Sequence, residues 1–121
     1  MKRDNDLIRM ILRAVEKQAT GDQVVTLTPD YFRPMFPDLS ENTLDEHIRL
    51  LVEVGFLKAE PHQLGWFITR LTWNGHDFLA NANHETAWQK TKKVAGDLSF
   101  DIFKETLKAN ILALTTAVTG G

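Results

Sequence analysis

The stretch from Ser40 to Gly75 changes its hydrophobic period once, from helix to strand, and the place of that change limits the folds open to the chain. Leu44, Ile48 and Leu51 recur at helical spacing behind Ser40, whose hydroxyl suits an N-cap. Gly55 stops this helix, and Phe56 and Leu57 turn back toward a core. Extended sequence follows at 56–60, then a turn containing Pro61, His62, Gln63 and Gly65, then a run from Trp66 to Trp73 rich in aromatic and β-branched residues. The expectation is a helix over about 40–54 feeding a β-hairpin whose return strand ends at Asn74-Gly75.

The flanking segments extend this pattern. Leu7, Ile8, Ile11, Leu12 and Val15 give an amphipathic first helix over 4–18, with Asp4 or Asn5 as cap and Gly21 just past its end. Val24 to Leu27 suit a short strand, and Thr28-Pro29 opens a second helix that Pro34 and Pro37 keep brief. Residues 76–93 read as a fourth helix with Phe78, Leu79, Ala82 and Trp88 inward; Gly96 breaks it, and Asp97 or Ser99 caps a fifth that runs to about 118. Helix, strand, helix, helix, hairpin, helix is the order of a winged helix-turn-helix. The expected class is thus α+β and mainly helical, with a winged-helix domain over 1–95 and a C-terminal helical arm over 96–121.

Composition narrows the functional classes. There is no cysteine among the 121 residues, which removes disulfides and thiolate metal sites and fits a reducing compartment; the expected location is cytoplasmic. Arg9, Arg13, Glu16 and Lys17 interrupt the N-terminal segment before it reaches the apolar length of a signal peptide. The longest apolar tract elsewhere, Ile111 to Leu114, is far short of the ~20 residues a spanning helix needs, so no membrane partner is expected. His47, His62, His76 and His84 show no close pair of the H-E-x-x-H kind, so neither a metal nor a cofactor is expected. No nucleophile motif or glycine-rich phosphate loop occurs, and the chain reads as a binding protein without catalytic residues.

What it binds turns on charge. Residues 22–60 hold eight acidic and three basic groups, the most acidic part of a chain whose net charge is −2. The outward face of the third helix should carry Asn42, Thr43, Asp45, Glu46 and Arg49, with Glu41 and Glu53 nearby. Carboxylates there disfavour entry into a DNA groove, since affinity for DNA comes largely from cations meeting phosphate. Asp45, Glu46 and Arg49, with Trp66 near the hairpin tip, are instead candidates for contact with a protein. The nucleic-acid candidates lie mostly elsewhere: Lys2, Arg3, Arg9 and Arg13 at the start, Arg49 on the third helix, and Lys90, Lys92 and Lys93 after Trp88. For these the plain alternative is a solvated face. His47 reads as a partly buried structural histidine, and Asp77 as a helix-start charge rather than an acid-base partner of His76.

The fifth helix aligns Phe100, Phe103, Leu107, Ile111, Leu114 and Val118 in a narrow apolar stripe like a coiled-coil seam. Phe103, Leu107, Ile111 and Leu114 are the candidate seam of a homodimer; packing within the monomer is the other way to cover them.

Three segments, MKRDNDLIR, EHIRLLVEVGFL and LTWNGHDFL with the following TAWQKTKK and SFDIFKE, resemble an uncharacterised family carried by bacteria and their phages. Its members open with MKRDxDLIR and carry LTWxGHxFL. The match runs from Met1 to about Glu105; GFL stands where such proteins more often have GLI, and the tail after Leu107 is not distinctive. The resemblance implies a phage or mobile-element context and no established activity. From the winged-helix order the leading expectation is a DNA-binding or transcription-type regulator; the alternative, from the acidic third helix, is a protein-interaction module, such as a phage-host conflict or inhibitor protein, that binds no DNA.

Overall fold

The computed structural model describes residues 1–63 and 65–119, with side chains up to residue 116 in the last helix. Among them are six helices and one two-stranded antiparallel sheet, a mainly helical α+β arrangement. By packing the chain divides into two compact units, Met1–His76 and the residues from Asp77 onward.

In the first unit, α1 (Asn5–Gln18) starts where Asp4 accepts a hydrogen bond from the Leu7 N–H. Its residues Leu7, Ile8, Ile11, Leu12 and Val15 are all buried. The strand expected over Val24 to Leu27 is reduced to a single bridge: Val25 exchanges backbone hydrogen bonds with Ile68, while Val24 is exposed. The helix that Pro29 opens so soon afterwards leaves no chain to extend the pairing. That helix, α2 (Pro29–Phe32), is one turn long and buries Phe32. Next comes α3 (Glu41–Glu53), capped by Ser40 Oγ on the Thr43 N–H and buried through Leu44, His47, Ile48 and Leu51. Gly55, at φ +79°, takes the left-handed turn that lets the Phe56 N–H reach the Leu51 carbonyl at 2.8 Å.

The hairpin pairs β1 (Leu57–His62) with β2 (Gly65–Leu71), with a register irregularity between Lys58 and Ala59. The second strand does not run on to Asn74-Gly75 as expected, because α4 (Trp73–Ala82) begins there. Thr72 Oγ1 accepts from the Gly75 N–H at 3.1 Å and donates to the Gly55 carbonyl, capping the new helix and tying it to the end of α3. Gly75 is therefore a first-turn helical residue. A Cβ there would lie 2.1 Å from the Phe56 carbonyl oxygen, so the close approach of two backbones requires glycine. Trp73, placed by its sequence run in the return strand, instead opens α4 and is 80% exposed.

In the second unit, the single helix expected over 76–93 is two. The ring of His84, in extended backbone, accepts from the Ala87 N–H at 3.3 Å and caps a separate α5 (Glu85–Ala95). Ser99 Oγ accepts from the Ile102 N–H at the start of α6 (Phe100–Thr119). Trp88 of α5 meets Phe103 of α6 edge to face at 5.3 Å and Phe78 at 6.3 Å. Thr91 Oγ1 donates to the Ala87 carbonyl and accepts from Asn110 Nδ2 at 2.9 Å, satisfying a buried hydroxyl between the same two helices. The arm begins after Gly96 in sequence, yet its first turns share a core with α5.

Candidate interaction surface

Helical spacing places Glu41, Asp45 and Arg49 along one line of α3, four residues apart. Asp45 is half-buried and its neighbours Glu41, Glu46 and Arg49 are exposed. Arg49 Nε lies 3.9 Å from Glu46 Oε1, and its guanidinium carbon is 5.6 Å from the centroid of the Trp66 ring on β2. The four protein-binding candidates, Asp45, Glu46, Arg49 and Trp66, are thus brought together at the junction of α3 and the hairpin. Between these elements lies a cleft of about 100 Å³, lined among others by Pro29, Leu44, Ile48 and Ile68 on the apolar side and by Glu41, Asp45 and Trp66. Composition alone does not reveal this cleft, since Ile68 and Trp66 come from the hairpin and Pro29 from α2.

Burial and the repulsion of Glu41 and Glu46 hold the Asp45 carboxyl above its ordinary value, with Arg49 acting in the opposite sense. A carboxylate raised on folding disfavours the folded state while it is ionised, and the penalty fades as pH falls through its folded value. Asp45→Asn should therefore stabilise the protein at pH 7 by up to about 0.5 kcal/mol, a rise in Tm of roughly 1–3 °C. The advantage should shrink when melts are repeated at descending pH through the carboxylate range; an advantage over the wild type no larger at pH 7 than at low pH would contradict this electrostatic account.

Within the first unit the basic candidates have different settings. Arg9 is only 7% exposed, lying on the buried side of α1 with Asn5, Ile8 and Leu12, and is withdrawn as a phosphate ligand. The Arg3 Nε donates to Asn5 Oδ1 at 2.8 Å, and Arg13 is half-buried with its guanidinium 3.8 Å from the Met10 sulfur. Lys2 is exposed. In the second unit, Lys90 and Lys93 of α5 are exposed and Lys92 is half-buried.

The histidines have separate structural settings. His47 is fully buried rather than partly: Nε2 accepts from the Asp4 N–H at 2.9 Å, so Nδ1 carries the proton and donates to the Thr43 carbonyl at 2.8 Å. This ties the start of α1 to α3. His76 Nδ1 lies 3.6 Å from Glu16 Oε2, and His62 stacks on Phe67 with centroids 3.8 Å apart. Among the described residues no group of three His, Cys, Asp or Glu side chains is arranged to hold a metal ion. No helix among them is long and apolar enough to cross a membrane.

On α6, Phe103 and Leu107 are buried, whereas Phe100, Ile111 and Leu114 are half-buried and Leu112 is exposed. The side chain of Val118 lies outside the described residues.

Residues 2–101 match the model of a family described as "Hypothetical protein (DUF2513)", and the chain belongs to that family. An uncharacterized protein of Haemophilus influenzae is 30% identical over 112 residues, covering 89% of this chain and 90% of its own length. No solved structure matches the chain.

Proposed function

We propose that residues 1–76 form a winged-helix module of a phage- or mobile-element-associated protein that acts by binding, without a cofactor or a catalytic step, and that its α3–hairpin face meets a protein rather than duplex DNA. The observation that carries this reading is the charge of that face. On α3, Glu41, Asp45 and Glu46 stand against Arg49, which is already set beside Glu46 and the Trp66 ring, while the hairpin adds exposed Lys58, Glu60 and Arg70. In a winged helix the third helix is the element presented to the major groove. Three carboxylates there oppose the phosphate contacts that supply most DNA affinity, and they complement a basic protein surface.

Regulation by DNA binding is the second reading. It takes its support from the element order and from Lys2, Arg3 and Arg13 on one unit and Lys90, Lys92 and Lys93 on the other. A homodimer fits either reading. With Phe103 and Leu107 spent inside the monomer, Ile111 and Leu114 beside exposed Leu112 are the residues left to form its seam.

Two measurements separate the readings. Random duplex DNA at about 50 mM salt should not shift with low-micromolar protein, whereas a DNA-binding regulator would shift it with a steep salt dependence. A nuclease-treated pull-down from bacterial lysate should retain a protein partner with the wild type and lose it with Glu41→Gln/Asp45→Asn/Glu46→Gln. A salt-sensitive duplex shift abolished by Lys2→Ala/Arg3→Ala would replace the protein-binding reading with the DNA one.

A further inference from the structure

We propose that the cleft between α3 and the hairpin receives the end of a single arginine or lysine side chain from a partner protein. The inference rests on the protein-binding reading and names the chemistry recognised. Leu44, Ile48 and Ile68 supply an apolar floor, and Glu41 and Asp45 place two carboxylates on the wall formed by α3. That combination matches a side chain with a methylene stem and a cationic head, which buries the one and keeps the other beside charge.

Size and electrostatics narrow the occupant. At about 100 Å³ the cleft is well below the roughly 300 Å³ and more of small-molecule sites, but it admits the end of one side chain. His62 also lines the cleft, but among the described residues no three His, Asp or Glu side chains are arranged to hold a metal ion, whereas a guanidinium or ammonium needs only acceptors and a π face. The Trp66 ring, which lines the cleft, already has the Arg49 guanidinium at 5.6 Å. Burial first, and then Glu41 and Glu46, raise the Asp45 carboxyl against the opposing pull of Arg49, so a cationic head beside it would favour its ionised form. An anionic occupant would add to the repulsion of Glu41 and Glu46.

The test is a titration of the full chain, followed by amide and indole proton–nitrogen spectra, with N-acetyl-arginine methylamide, its lysine counterpart and a norleucine amide as the apolar control. The Trp66 indole signal is assigned with Trp66→Phe. Saturable shifts at that indole and at the amides of residues 41–48 are expected with the two cations, at millimolar affinity as befits one side chain. Glu41→Gln/Asp45→Asn, checked for native signal dispersion, should weaken them about tenfold, and so should raising salt toward 1 M. No saturable shift up to ~100 mM probe, equal shifts with norleucine amide, or undiminished binding to the double variant would each overturn the proposal. Such a failure, with partner capture still lost in the carboxylate variants, would leave the protein-binding reading standing. Shifts of the α3 amides by a random duplex would sink that reading itself.

Discussion

Trp88→Ala is expected to lower stability by about 3–5 kcal/mol, enough to bring the melting temperature down by roughly 10–20 °C. Trp88 is completely buried between α5 and α6, and its ring is the shared partner of Phe78 and Phe103. Truncation removes the largest side chain of this small core together with two edge-to-face contacts, each of which adds about 0.5–1.5 kcal/mol beyond area. The neighbours are aromatic rings set by their own backbones, so they cannot collapse into the space at little cost. Amide exchange should quicken through α5 and the first turns of α6, where the Thr91–Asn110 hydrogen bond depends on the same packing. Trp88→Phe, which keeps an aromatic edge, should recover a large part of the loss. A melting temperature for Trp88→Ala within a few degrees of the wild type would show that the two helices are held by something else.

That core shows why some elements were legible in the sequence and others were not. The starts of α1 and α3 were local problems: Asp4 and Ser40 stand immediately before apolar residues at helical spacing, and each side chain caps as its chemistry predicts. The break before α5 had no such marker. Asn83-His84 contains neither glycine nor proline, and a histidine ring acting as a cap is not among the usual signals. The arm after Gly96 looked separable because the glycine interrupts the chain, whereas Trp88 and Phe103 reveal their pairing only in three dimensions.

The candidate surface was legible in its charge and not in its shape. The acidic outward face of α3 follows from the apolar positions Leu44, Ile48 and Leu51, since the remaining residues have nowhere else to point. That Arg49 reaches the Trp66 ring, and that Asp45 is half-buried in a cleft closed by Ile68, depends on where the hairpin returns. Arg9 misled in the opposite direction, because a charged residue beside Ile8 counts as basic surface until its burial is seen. Trp73 did likewise: an aromatic at the end of a strand-like run reads as part of the strand, but the helix begins there and turns it to solvent.

The same junction supplies the second large effect, and here two local rules disagree in sign. Gly75 lies in the first turn of α4, where alanine should improve helix propensity by up to about 1 kcal/mol. The added Cβ, however, would meet the Phe56 carbonyl oxygen at 2.1 Å and the Phe56 carbonyl carbon at 3.0 Å, both backbone atoms that no rotamer change can move aside. Relief requires α4 or the start of β1 to shift. Either movement stretches the Thr72 N–H bond to the Phe56 carbonyl, now 3.0 Å, and the Thr72 hydroxyl bond to Gly55. Overpacking of this kind costs about 1–3 kcal/mol and each impaired hydrogen bond about 1 more, so Gly75→Ala should destabilise the protein by about 3 kcal/mol. Urea denaturation checks the sign directly: a midpoint well below wild type supports the backbone contact, whereas an unchanged or higher midpoint would mean that helix propensity governs the site and that the approach to Phe56 is looser than 2.1 Å implies.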